Sequence, residues 1–95
     1  MTVEELRTEL ETIISSLTSS GFDNVASETM EKLDNLAVTA GKDGMREGRR
    51  LMENLSGAIR AIKEGTSQAE SGKVRLTALG FYTKNLPNSE HIEDI

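Results

Sequence analysis

Met45-Arg46-Glu47-Gly48-Arg49-Arg50-Leu51-Met52-Glu53-Asn54-Leu55-Ser56-Gly57-Ala58-Ile59-Arg60-Ala61-Ile62-Lys63 is the stretch on which the fold turns. Met45, Gly48, Leu51, Met52, Leu55, Ala58, Ile59 and Ile62 recur at spacings of three and four, which puts them on one face of an α-helix. Arg46, Arg49, Arg50, Glu53, Arg60 and Glu64 take the opposite face. Asp43 is placed to cap the start, and Gly65 stands where a left-handed residue ends a helix well. The other segments read as partners for this stripe.

Immediately upstream, Gly41-Lys42-Asp43-Gly44 is a turn with two glycines around an acid. Before it, a helix from an Asp23 cap to about Ala40 gathers Val25, Ala26, Thr29, Met30, Leu33, Leu36, Ala37 and Ala40 on one side. So short a connection makes the two helices antiparallel neighbours. Residues 3–20 form an earlier helix with Val3, Leu6, Leu10, Ile13, Ile14 and Leu17 as its stripe. Thr2 and Glu5 make a capping box at its start, and Gly21 ends it.

Downstream, Ser67 and Glu70 match another capping box, opening a fourth helix to about Asn85. Here the pattern divides. Ala69, Gly72, Leu76, Leu79, Thr83 and Leu86 fall together, while Val74, Ala78 and Phe81 lie about 140–200° away from Leu76 at 100° per residue. A bundle buries only one of these faces. Pro87 stops the helix, and residues 88–95 read as a short, flexible acidic tail. The expected fold is therefore all-α, an antiparallel four-helix bundle over 1–87 followed by that tail.

Composition agrees with a single small domain. The chain has 95 residues, 36% hydrophobic but only 3% aromatic, so its core is built from aliphatic and methionine side chains. No cysteine is present, which excludes a disulfide framework and thiolate metal sites and fits a reducing compartment. The beginning of the chain lacks the basic and apolar regions of a secretory signal, and no apolar run reaches the ~20 residues of a membrane span. A cytoplasmic protein with no membrane partner is the expectation.

Net charge is −5 but unevenly spread. Residues 1–41 hold eight acids and two bases, whereas residues 42–86 hold nine bases and five acids. The bases are interleaved with Glu47, Glu53, Glu64 and Glu70, the pattern of a solvated face, and this argues against nucleic acid.

Candidate chemistry is sparse. General acid–base and nucleophilic catalysis use histidine, cysteine or paired carboxylates. The sole histidine, His91, falls in the tail, where no fold fixes a reaction geometry or a set of metal ligands. The inward positions are aliphatic, which is not the Glu and Glu-x-x-His pattern of di-metal bundles. Gly41-Lys42-Asp43-Gly44 lacks the spacing and preceding strand of a phosphate loop. No catalytic, cofactor-binding or metal-binding residue is assigned, no cofactor is implied, and the chain is read as a non-enzyme.

Gly48, Gly57, Gly72 and Gly80 each cost about 1 kcal/mol against alanine inside a helix, so close approaches are expected where they face inward, as Gly48 and Gly72 do. Gly80 beside Phe81 is a candidate bend that would turn Phe81 into the core.

Four short helices with a central hairpin, whose second arm reads Gly44-Met45-x-x-Gly48-x-x-Leu51-Met52-Glu53-x-Leu55, resemble a histidine phosphotransfer (HPt) domain over residues 25–64. The resemblance implies a helical bundle that binds response-regulator receiver domains. The family's phospho-accepting histidine belongs in the middle of the second helix, where this chain has Leu33-Asp34-Asn35-Leu36-Ala37-Val38. The implied activity is therefore receiver binding without phosphotransfer, and no family site residue carries over.

The functional expectation is a small adaptor or regulator that binds a protein through a helical surface, with the degenerate HPt-like module as the alternative. Val74, Ala78, Phe81 and Tyr82 are the candidate surface. A homodimer would cover such a strip by using it twice, and a partner helix laid into it is the rival.

Overall fold

The computed structural model describes residues 1–90 and contains four helices: α1 Val3–Ser20, α2 Ser27–Lys42, α3 Arg46–Lys63 and α4 Ala69–Lys84. Each helix packs on its neighbours in the sequence, and α1 closes the ring against α4. The seams flanking α3 are the extensive ones, and α1 is held more lightly. The order is the up-down one that short connections impose on an antiparallel bundle.

The organising stripe is where its spacing puts it. Gly48, Met52, Leu55, Ala58 and Ile59 of α3 are buried, with Leu55, Met52 and Ile59 at 0% exposure. Leu6, Leu10, Ile13 and Leu17 from α1, Met30, Leu33, Leu36, Ala37 and Ala40 from α2, and Leu79 from α4 complete the core. The three inner methionines, Met30, Met45 and Met52, are core residues rather than a groove.

Helix ends follow two rules. At the start of α1 the capping box forms in full, the Glu5 amide donating to the Thr2 hydroxyl (3.1 Å) and the Thr2 amide to the Glu5 carboxylate (3.3 Å). At the ends of α2 and α3 the chain turns through Gly44 and Gly65 at φ +81° and +78°, a region closed to most other residues. Met45 and Thr66 then donate back to Ala40 (2.8 Å) and Ala61 (2.9 Å), the bonding pattern that serves free carbonyls at a helix end.

Three expected caps are not used. Helix α2 begins at Ser27 after an Ala26 N-cap without a side-chain bond, not at Asp23. Phe22 and Val25 explain this, since both are buried and the connection carrying them folds over the end of the bundle. The Phe22 ring lies so near Gly72 that a Cβ there would meet it at 3.0 Å. Asp43 terminates α2 and pairs with the terminal amino group of Met1 (2.9 Å) instead of capping α3. Helix α4 starts after Gln68, and Ser67 makes no capping bond.

Helix α4 runs without a break from Ala69 to Lys84, so Gly80 does not turn Phe81 inward. On either side of Pro87 the chain is tied down: the Arg7 guanidinium donates to the Leu86 carbonyl before it, and the Ser89 hydroxyl donates to the Tyr82 carbonyl (2.6 Å) after it. Glu90, expected in the tail, is only 7% exposed. His91 lies outside the described residues.

Candidate interaction surface

The strip read from α4 survives in three of its four members. Val74 is 65% exposed, Phe81 is 72% exposed, and Ala78 between them faces solvent. The reason is the competition within α4: Gly72, Leu79 and Thr83 are buried and Leu76 is partly buried, on the opposite side of the same helix. With Leu86 joining them just after the helix, the leucine face commands the core. What remains is an apolar row one turn apart on the outside of the bundle. Thr77 and Asn85 adjoin it. Lys73 and Lys84 border it on one long edge and Arg75 on the other, by the 100° step of the helix.

Tyr82 does not belong to this surface. It is 3% exposed and faces α3, where Gly48 makes room for it: a Cβ on Gly48 would stand 2.5 Å from the Tyr82 hydroxyl oxygen and 3.2 Å from Glu90 Oε2. The wheel position of Tyr82, between Phe81 and the Leu79–Leu86 side, allows either face. The decisive group is Glu90. Its carboxylate accepts from the Gly48 amide at 2.7 Å, from the Glu47 amide at 3.2 Å and from the Tyr82 hydroxyl. A negative group at these first-turn amides is what the dipole of α3 favours, and it replaces the absent local cap. Burial, with the hydrogen bond and negative charge of Glu90 added, pushes the Tyr82 hydroxyl far above its ordinary value.

A second polar cluster joins α2 to α3. Ser56, almost fully buried, donates to Asp34 Oδ1 (2.7 Å), and Arg60 reaches both Ser56 and Asp34 Oδ2. Burial alone would raise the Asp34 carboxyl, but the bonds from Ser56 and Arg60 and the charge of Arg60 hold it below its ordinary value. Two more arginines of α3 are likewise engaged with nearby acids, Arg49 with Glu53 (2.6 Å) and Arg50 with Glu47 (2.8 Å).

No family model matches the chain, and no curated protein or solved structure matches it. Among the described residues, no group of three or more His, Cys, Asp or Glu side chains is placed to hold a metal ion, and no helix is long and apolar enough to cross a membrane. The polar side chains that come together, Tyr82 with Glu90 and Asp34 with Ser56 and Arg60, already satisfy one another and tie helices together. Neither signal was local in sequence. Gly48, an inward glycine, was the one trace of the group that approaches it.

Proposed function

We propose that this protein is a small non-enzymatic adaptor or regulator of the cytoplasm, and that it binds a protein partner through the outer face of α4. One observation carries the reading: Val74, Ala78 and Phe81 form a continuous apolar row on the outside of a bundle whose remaining large apolar side chains are mostly buried. Scattered exposed apolar residues are ordinary, but a row at helical spacing fits the anchor pattern of helix-in-groove and helix-on-helix recognition. Absence of cysteine supports a reducing location.

The HPt-like alternative puts the contact elsewhere, on α2 around Asp34, so a single experiment separates the two. A photo-crosslinking amino acid is introduced in turn at Phe81, at Asn35 and at Glu9, and the protein is irradiated in its own cells. The α4 reading expects a discrete protein adduct from position 81, absent from positions 35 and 9. An adduct from position 35 alone transfers the function to α2. Equal yields from all three positions leave α4 without a special role.

A further inference from the structure

We propose that the partner of α4 is an amphipathic helix whose apolar stripe is bordered by acidic residues, and that it is not a second copy of this chain. This rests on the reading of α4 as the binding face and adds the chemistry of what binds there.

The argument starts from charge. The chain carries −5 overall, yet α4 holds Lys73, Arg75 and Lys84 against the single acid Glu70. All three cations are at the edges of the Val74–Ala78–Phe81 row. Lys73 stands 3.7 Å from Glu70, both well exposed. Lys84 lines the groove between α4 and α1 together with Arg7, Glu11 and Ile14. Neither Arg75 nor Lys84 forms an ion pair among the described residues. The row is therefore an apolar surface with cationic margins on a molecule of opposite net sign.

Symmetry then decides between the occupants. In an antiparallel twofold α4–α4 contact each margin of one helix meets the same margin of the other, and in a parallel one it meets the opposite margin, so cations face cations either way. Run antiparallel about Ala78, such a pair brings Lys73 of one copy toward Lys84 of the next, and the two Arg75 side chains onto a common edge. Glu70 offsets part of this, but each copy still contributes three cations and one acid. The acidic outer face of α1, with Glu4, Glu5, Glu9 and Glu11, offers the opposite charge, yet its remaining exposed positions are serine and threonine, with no apolar row to cover Phe81. A separate helix with leucine or isoleucine at i, i+3, i+4 and i+7 and glutamate on both flanks satisfies both requirements. Complementary margins of this kind set orientation and partner choice.

The test uses three synthetic helical peptides with the full chain: a leucine stripe flanked by glutamate, the same stripe flanked by lysine, and the glutamate-flanked peptide with glutamine replacing leucine. Fluorescence anisotropy is expected to show binding of the first at least tenfold tighter than either control, weakening as salt is raised. R75E combined with K84E should reverse the preference toward the lysine-flanked peptide, and F81S should abolish binding, both with an unchanged circular dichroism spectrum. Phe81-dependent binding without charge preference overturns the acidic partner while leaving the α4 face in place. Glutamate-dependent binding that F81S leaves intact overturns both. Absence of binding to all three peptides overturns the proposal. So does a wild type that sediments as a dimer and becomes monomeric on F81E, or one that binds anionic phosphatidylglycerol vesicles through Phe81.

Discussion

Helices α3 and α4 lie side by side and share a seam, yet they use their two faces in opposite ways. The outer face of α3 is a lattice of arginines and glutamates, so each of its apolar residues has one place to go. Helix α4 carries apolar residues on both sides, and the bundle has room for one. Leu76, Leu79 and Leu86 take the core side, and Phe81 stays outside although burying a phenylalanine contributes roughly 1.5–3 kcal/mol. A single stripe identifies a helix that exists for the fold. A double stripe leaves one apolar row outside the bundle, and on α4 that row is the face proposed for binding.

The contrast can be broken most sharply at Leu55. It is at 0% exposure in the middle of α3, so Leu55→Ala is expected to cost about 2–5 kcal/mol in urea unfolding. A loss below ~1 kcal/mol would show that α3 is not the centre of the core.

Next in size is the contact between the two helices. Glu90→Ala strips the acceptor from the Gly48 amide and the Tyr82 hydroxyl and is expected to cost about 1–3 kcal/mol. Tyr82 adds a pH signature. Its hydroxyl is raised above 10.0 in the folded state, whereas in the unfolded chain it ionises near that ordinary value. The unfolded state therefore loses its proton first, and stability that is complete below pH 10 falls as the pH climbs above about 10. Tyr82 is the only tyrosine, so phenolate absorbance reports it alone and should rise together with loss of the helical circular dichroism signal. Phenolate appearing while the helices persist would show that the Tyr82–Glu90 contact does not hold.

Two glycines of α3 sharpen the same point. Gly57→Ala meets nothing within 4 Å and should stabilise by about 0.5–1 kcal/mol through helix propensity. Gly48→Ala pushes a methyl group into Tyr82 and should destabilise by about 1–3 kcal/mol. Thermal midpoints that shift in the same direction for both would remove the close approach of α3 and α4. Smallest of all, Phe81→Ser should change folding stability by no more than about 0.5 kcal/mol, because its ring is 72% exposed. A larger loss in urea would place Phe81 in the core.

What was legible in the sequence was whatever depends on spacing. Four helices, the central position of Leu55, the Thr2–Glu5 capping box and the left-handed turn at Gly65 all follow from periodicity and local backbone chemistry. The sequence alone leaves Val74, Ala78 and Phe81 between an outer strip and a bend at Gly80, and the unbroken α4 decides for the strip. The misplaced caps were local motifs overruled by distant packing: Asp23 lies between two residues that plug the end of the bundle, and Asp43 is drawn to the terminal amino group. Tyr82 is buried, not part of the strip, because a wheel position between two faces is settled by the partner it meets. That partner, Glu90, sits in a stretch whose sequence shows only polarity and a preceding proline.

The bond from Glu90 to Gly48 spans 42 residues, and it has a direction in time as well as in space. A chain growing at 5–20 residues per second exposes Gly48 roughly two to eight seconds before Glu90 is made. Over that interval the first amides of α3 are served by water, and α2 is the partner already at hand for its apolar stripe. The start of the central helix is thus finished last, by a residue that arrives only after α4 has been synthesised. Released chains truncated before residue 90 should hold the α2–α3 hairpin with an open α3 terminus, and the turn after Pro87 acts as the clasp that closes it.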